Sequence, residues 1–348
     1  MTRPMGLICR GGVSIDVGVR GVGVFGFAVT YHIANKLKGT GTVRVFDTSD
    51  GLMDQLRKTR THPLHGKDFV LPPNVELVKG PTEIFEGADV IMLAVPGQYV
   101  RGTVREDKGH LRDGVVLLNL AKSLEMGTGH RMSQVVAEEV PKGLCYHYVQ
   151  LSGGMFAEDV LKGFPLGASL ACTDIRTAKK VARSLFSDRI HLQPTKDVIG
   201  VEYGGALKNL VAILAGISEG LGFSIGSDTF LIPKAAGEIE AFAASRGAKR
   251  KTFSMDSPVW GNDMWMTCFG KSRNKAYGRL VGQGVPPMEA LERMKKENKL
   301  VEGYYTLRTF HDIVGKDIDD YIIMKALYAM IYESKPPAQG IDEIMKKL

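Results

Sequence analysis

Three glycines in "GVRGVGVFGFAV", Gly21, Gly23 and Gly26, stand in the order G-x-G-x-x-G, and their surroundings constrain the fold more than any other feature of the chain. In a sequence with 41 glycines the pattern alone would mean little. Its context is specific. The apolar run "IDVGV" (15–19) precedes it, a helix-like stretch over 26–38 follows, and "VRVF" (43–46) leads into Asp47, twenty-one residues after Gly26. A strand, a glycine turn, a helix and a second strand closed by an acid make up a dinucleotide-binding βαβ unit.

In such a unit Gly21 permits the tight turn, Gly23 lets a pyrophosphate approach the backbone, and Gly26 allows close helix packing. Val24 and Phe25, where the helix starts, offer backbone N–H groups at the positive end of its dipole. Asp47 would accept hydrogen bonds from a ribose 2′-hydroxyl and repel a 2′-phosphate, so NAD is the expected cofactor, favoured over NADP. Arg20 falls at the end of the first strand, where a buried sheet wants an apolar side chain; the sequence leaves open whether it snorkels to an edge or the strand is shifted.

Further apolar runs, "VIMLAV" (90–95), "VVLLNL" (115–120), "YHYVQL" (146–151) and "ASLAC" (168–172), alternate with helical stretches such as 131–139 and 176–186. That order predicts a parallel sheet covered on both faces. After "HLQPTKDVIG" (191–200) strand-like runs cease and helix-like sequence fills the remainder, with no internal repeat or low-complexity tract. The 348 residues exceed what one core usually organises. The expected fold class is α/β: an N-terminal doubly wound, Rossmann-type, mainly parallel sheet domain (1–195) and a C-terminal all-α substrate-binding domain (196–348), with catalysis in the cleft between them.

With 44% apolar and 24% charged residues the chain reads as a soluble globular protein. No apolar run approaches bilayer length, and "MTRPMGLICRGG" has only a stub of hydrophobic sequence, which argues against integral membrane association and secretion. Cys9, Cys145, Cys172 and Cys268 lie far apart with no C-x-x-C pair, as expected of thiols in a reducing compartment. The net charge of +7 is dispersed among acids, as in "RMKKENK" (293–299), which argues against nucleic acid and suits a small anionic substrate. His62 and His65 in "THPLHGK" read as loop residues, with no metal expected because no third ligand stands near. His32 and His311 read as packing or surface residues. The C-terminal "KKL" departs from the peroxisomal tripeptide by a lysine where a small residue is expected, so the cytoplasm is expected, with a glycosome or peroxisome as the alternative.

The most informative polar residue lies in "VEYGGALKNLVAILAGISEGLG". Leu207, Leu210, Val211 and Leu214 follow core-face spacing, yet the remaining faces are no wetter: Lys208 has Gly204, Gly205, Val211 and Ala212 as helical neighbours. A helix apolar all round is buried. Its lysine therefore needs an anionic partner, a depressed pKa or a solvent-filled groove, and the small flanking residues beside Asn209 leave such a groove. In "WGNDMWMTCFGKSRN", Asp263 precedes Arg273 and Asn274 by about ten residues in a stretch too broken for one long helix. Arg273 offers a planar fork suited to phosphate, and Asn274 adds donors.

"GVGVFG", "ADVIMLAVPGQ", "LNLAKSLEMGTGHRMSQV", "LSGGMFAED", "EYGGALKNLVAILAGISEGLG", "SRNKAYGRLVGQG" and "LVEGYYT" together resemble the NAD-dependent glycerol-3-phosphate dehydrogenases, in that family's order and over roughly residues 15 to 335. The resemblance implies a homodimer and the reversible reduction of dihydroxyacetone phosphate to sn-glycerol 3-phosphate. It makes Lys208 the proton donor and acceptor, Lys122 a second lysine touching substrate and cofactor, and Asp263 a carboxylate that contacts substrate and holds Lys208 charged. By the same likeness Asn209, Ser272, Arg273 and Asn274 bind the substrate and its phosphate, with Arg273 also facing the cofactor. Gly153 and Ala157 line substrate and cofactor, while Glu302 and Gln98 stand near the dinucleotide. The chain departs from the family at Ser123, where glycine is usual, and at Gly154-Met155, where proline and a hydroxyl residue are usual. It also departs at Pro233, expected to kink or restart a helix. Two rival functions stand beside this one: a non-catalytic NAD-binding sensor or assembly protein, motivated by Gly154 and Met155, and a related hydroxyacid or sugar dehydrogenase using the same architecture.

Overall fold

A computed structural model describes residues 14–297 and 299–348; Cys9 and the N-terminal stretch "MTRPMGLICRGG" lie outside them. The chain divides into two compact units, one of the described residues up to Ala121 with Met132–Val198, the other of Lys122–Arg131 with Ile199–Leu348. The ten residues from Lys122 thus belong with the C-terminal half, a crossing that no composition shift in the sequence announces.

The first unit is an eight-stranded sheet of β1 (Val17–Arg20), β2 (Val43–Phe46), β3 (Val75–Leu77), β4 (Val90–Leu93), β5 (Val115–Asn119), β6 (Tyr146–Ser152), β7 (Leu166–Ala171) and β8 (Ile190–Thr195), in the order 3-2-1-4-5-6-7-8. Its helices are α1 (Val24–Lys36), α2 (Asp50–Thr59), α3 (Gly97–Asp107), α4 (Met132–Glu139), α5 (Ala157–Leu161) and α6 (Ile175–Leu185). Alternation of side chains along each strand builds a core on each face. Val17, Val19, Val45, Val116 and Leu118 pack with Phe27 and Ile33 of α1. Ile91, Leu93, Val115 and Leu117 pack with Val100 and Val104 of α3 and Val135 and Val136 of α4.

The sheet is mainly parallel, but not wholly so. β6 and β7 pair antiparallel, with Gln150 opposite Ala171, and β8 runs parallel to β7, so the last two strands oppose the others. Arg20 resolves its ambiguity without leaving the core: only 3% exposed, it donates from Nε to Asp107 at 3.1 Å and from a terminal nitrogen to Glu106 at 2.8 Å, and its guanidinium lies over the Phe46 ring. A buried cation is tolerable here because two carboxylates at the end of α3 satisfy it.

The second unit is helical: α7 (Val198–Gly220), α8 (Ile225–Ser245), α9 (Asp263–Phe269), α10 (Arg273–Gly282), α11 (Pro287–Lys296), α12 (Glu302–Val314), α13 (Ile322–Tyr332) and α14 (Pro337–Lys347). α7 is long and apolar enough to cross a bilayer by length and composition, contrary to the expectation that no segment would be, yet it is buried as the core helix of this unit. Leu207, Leu210, Val211 and Leu214 are fully inaccessible. Two glycines on α7 meet two on α10: a Cβ added at Gly216 would lie 2.1 Å from the Lys275 carbonyl oxygen, and one at Gly278 would lie 2.1 Å from that of Ile213. Such backbone-to-backbone contact fixes α7 against α10, and with it Lys208 against the start of α10.

Pro233 does not restart α8, which runs as one helix through it. The carbonyl freed by the missing N–H is that of Thr229, and both residues are exposed, so water can satisfy it.

Candidate active site

In the first unit the turn has the geometry its glycines suggest. Gly21 adopts φ +97°, and a Cβ there would lie 2.8 Å from the Ala94 carbonyl oxygen; one at Gly26 would lie 2.7 Å from the Gly21 carbonyl oxygen. A Cβ at Gly23 would meet nothing within 4 Å. The two outer glycines are thus required by the protein's own packing, while the middle one leaves room for close approach. Gly23 is also the N-cap of α1 and supplies no side-chain cap, so the first N–H groups, at Val24 and Phe25, have no side-chain acceptor at the cap. These features fit a dinucleotide pyrophosphate.

Asp47 follows β2 and accepts hydrogen bonds from Val22 N–H at 2.8 Å and Ser49 N–H at 2.9 Å. It therefore braces the turn, and its carboxylate has further lone pairs for a ribose hydroxyl. His62 and His65 sit on a loop, as expected, but that loop packs on the turn: both rings lie against Phe27, and His65 Nε2 is 2.7 Å from the Val24 carbonyl oxygen. Burial, with the neighbouring His65, pushes His62 down to about 4 and keeps it neutral near pH 7.

Gln98 is the exposed second residue of α3. Gly153 follows β6, where a Cβ would lie 2.5 Å from the Ala168 Cα, so the position is closed to larger residues. Ala157 opens α5. Met155 is 5% exposed and packs in the larger apolar core; the departure at this position fills the interior.

In the second unit Lys208, Asp263 and Lys122 come together although 141 residues separate Lys122 from Asp263. Lys208, 6% exposed, donates from Nζ to Asp263 Oδ1 and, at 2.9 Å, to Thr267 Oγ1. Lys122 Nζ donates to Asp263 Oδ2 at 3.0 Å. Asp263 is fully inaccessible, and a five-residue π-type turn, Pro258–Asn262, immediately precedes it. Gly261 makes that turn possible, since a Cβ would lie 2.0 Å from the Met255 carbonyl oxygen. Single-turn π segments re-aim the helix that follows, here α9 with Asp263 and Thr267 one turn apart.

Burial lowers the pKa of Lys208 below the ordinary lysine value, Lys122 adds to that, and Asp263 opposes it. Burial alone would raise Asp263, but the ammonium groups of Lys122 and Lys208 and their hydrogen bonds outweigh it and hold the carboxylate ionised. The result is a buried anion shared by two cations, one of which can give up its proton more readily than a free lysine.

Ser272 caps α10, its hydroxyl accepting from Lys275 N–H at 3.1 Å. Arg273 is exposed, whereas Asn274 is 8% exposed and accepts from Gly303 N–H at 2.9 Å. A Cβ at Gly303 would lie 3.1 Å from the Asn209 carbonyl oxygen, so Asn209, Asn274 and the start of α12 converge. Burial raises the pKa of Glu302, opposed by Lys208, Lys122 and Arg273 in turn, which places all four in one electrostatic neighbourhood.

Two features escaped the sequence reading. Thr267 could have been found as the residue one helical turn after Asp263. Arg131, bonded to Glu202 at 2.7 Å and stacked over Tyr203, ties the segment after Lys122 to the first turns of α7, and no local pattern announces it.

Two family models match: "NAD-dependent glycerol-3-phosphate dehydrogenase N-terminus" over residues 16–178 and the corresponding C-terminus over 197–342. Among curated relatives, a glycerol-3-phosphate dehydrogenase [NAD(P)+] of Clostridium perfringens is 32% identical over 95% of this chain and 97% of its own. One from Chlorobium chlorochromatii is 33% identical over 85% and 86%. Among solved structures, the glycerol-3-phosphate dehydrogenase of Coxiella burnetii superposes with a TM-score of 0.85 at 23% identity, covering 96% of this chain and 99% of that one, which supports the fold.

Proposed function

The chain belongs to the NAD-dependent glycerol-3-phosphate dehydrogenase family, and on that premise we propose that it interconverts dihydroxyacetone phosphate and sn-glycerol 3-phosphate with Lys208 as proton donor and acceptor. NADH, when bound, supplies the hydride that the ketone carbon accepts. Lys208 gives its proton to the carbonyl oxygen as negative charge develops there, and takes it back in the oxidative direction. Asp263 orients Lys208 and balances its charge, Thr267 fixes the remaining direction of Nζ, and Lys122 adds a second cation beside the developing alkoxide.

The phosphate falls to Arg273 and Asn274 at the N-terminus of α10, with Ser272 as its cap and Asn209 alongside. Glu302, Gln98, Gly153 and Ala157 are assigned to the surroundings of cofactor and substrate by likeness to the family. Asp47 favours NAD. A homodimer in a reducing cytoplasm completes the reading, in keeping with the free thiols of Cys145, Cys172 and Cys268.

The observation that carries this reading is the buried Lys208–Asp263–Lys122 group, whose two ammonium groups share one carboxylate. The sensor alternative loses part of its motivation, because Met155 is a core residue. Absorbance of NADH should fall when dihydroxyacetone phosphate is added and stay level with unphosphorylated dihydroxyacetone. Equal turnover of the two ketones would point to a different dehydrogenase, and no turnover of either to a binding protein.

A further inference from the structure

Two fully buried amides at the carboxyl ends of β5 and β6 have no part in the chemistry above. Asn119 is inaccessible and Gln150 is 1% exposed, and the two residues are partners in the β5–β6 register. Asn119 Nδ2 donates to Gln150 Oε1 at 2.7 Å, and Tyr148 Oη–H donates to the same oxygen at 2.6 Å. Gln150 Nε2 donates to the carbonyl oxygens of Leu151 at 3.1 Å and Ala121 at 3.0 Å. Asn119 Nδ2 also reaches the Ala121 oxygen, at 3.2 Å. Every hydrogen-bonding position of the Gln150 amide is used, and both amides converge on one backbone oxygen.

That oxygen belongs to the peptide bond joining Ala121 to Lys122. An apolar pair could fill these two sheet positions, though it would remove the hydrogen bonds that the amides make to the Ala121 carbonyl and the Tyr148 hydroxyl. What an apolar pair could not do is fix the plane of that peptide. On the other side of Lys122 the chain is held separately: Glu125 N–H donates to the His130 carbonyl oxygen at 2.9 Å, and Arg131 pairs with Glu202. Lys122 thus leaves a backbone clamped both before and after it, while its own Nζ must meet Asp263 at 3.0 Å.

We propose that Asn119 and Gln150 are positioning residues for the reaction, setting the direction from which the Lys122 side chain departs by holding the Ala121 carbonyl. The inference rests on the reading of Lys122 as a site lysine and extends it to residues that touch neither substrate nor cofactor. A displacement of about 1 Å at a reacting group is enough to slow a reaction substantially, so a backbone anchor can matter to turnover without contributing a reacting atom.

The test is a double-mutant cycle on kcat/KM for dihydroxyacetone phosphate at saturating NADH, with Gln150→Met and Lys122→Ala singly and together. Gln150→Met should lower kcat/KM about tenfold in the parent and less than about twofold in the Lys122→Ala background, because an anchor has nothing to position once the ammonium is gone. The Kd for NADH of the Gln150→Met variant should stay within about twofold of the parent. An equal loss in both backgrounds would overturn the proposal, as would an unchanged kcat/KM for Gln150→Met in the parent. If Lys122→Ala itself leaves kcat/KM intact, the premise fails and the inference with it, which separates the two failures. Should Gln150→Met not fold, Asn119→Leu/Gln150→Leu, which removes both partners together, takes its place in the same cycle with the same expected and overturning results.

Discussion

An ammonium within a helix that is apolar on every side is costly unless something nearby pairs with it, and in this chain Asp263 and Thr267 do so for Lys208. The pairing is incomplete compensation, because burial still lowers the lysine pKa below its ordinary value. The sign for catalysis follows. With Lys208 as the proposed proton donor, carbonyl reduction would need the charged lysine, so its rate should fall as pH rises through that lowered pKa, while oxidation of glycerol 3-phosphate should rise over the same range. Lys208→Ala should reduce kcat by about 10²–10⁴-fold, the usual worth of a positioned acid, and abolish this opposed pH dependence while leaving the Kd for NADH near its parent value. At Asp47 the carboxylate already holds two backbone N–H groups, so its removal should act twice. Asp47→Ala should weaken NAD by roughly tenfold or more through the loosened turn and lost ribose contact, and weaken NADP less, because a repulsive charge goes with it. The ratio of kcat/KM for NAD and NADP measures that directly, and an unchanged ratio would remove Asp47 from cofactor choice.

At the scale of elements, the two strands that the sequence pattern does not reveal are β3 and β8, and these are the two edges of the sheet. A central strand buried on both faces must be apolar along its whole length, which makes "VVLLNL" legible; an edge strand is freed from that, so β8 can carry His191, Gln193 and Pro194. Strand direction was equally unreadable, since an apolar run packs as well in either sense, and the reversal at β7 came from the structure alone. Helix contacts were legible only in part. The apolar length of α7 was plain, but its glycines could not disclose that they face Gly278 and Gly282 of α10. Those contacts hold Lys208 and the start of α10, proposed above to bind the phosphate, in one frame, so Gly278→Ala must push the helices apart. A loss of about 1–3 kcal/mol in thermal or denaturant unfolding is expected, as for other overpacked interiors. KM for dihydroxyacetone phosphate should rise with it. Gly284→Ala, at a position with no atom within 4 Å but with φ +88°, should lower stability through backbone strain and leave KM unchanged.

For the molecule as a whole, the sequence disclosed the residues that are chemically out of place and concealed those whose role depends on distant partners. Lys208 announced itself by its neighbours, but Lys122 follows a strand as many surface lysines do, and only the family likeness singled it out; its partner stands 141 residues away. Asn119 and Gln150 pass as members of strands in the sequence because their partners, each other and the Ala121 carbonyl, are brought together only across two strands. Net charge is the property that was readable from the outset and acts over the whole surface: at +7 the protein attracts an anion before any specific contact forms. Lys122, Lys208 and Arg273 continue that field locally, against one buried Asp263 and a Glu302 whose burial favours its neutral form. Raising ionic strength from about 0.01 to 0.5 M shortens the Debye length from about 30 Å to a few ångström and should therefore lower kcat/KM for dihydroxyacetone phosphate several-fold. kcat should change little, because in the proposed complex the phosphate would meet Arg273 at short range, where mobile salt screens poorly. Reversing distant surface charge, as in a Lys346→Glu/Lys347→Glu variant on α14, should reduce the salt slope without altering kcat; a slope that persists unchanged would assign the effect to the site's own cations and not to the molecular field.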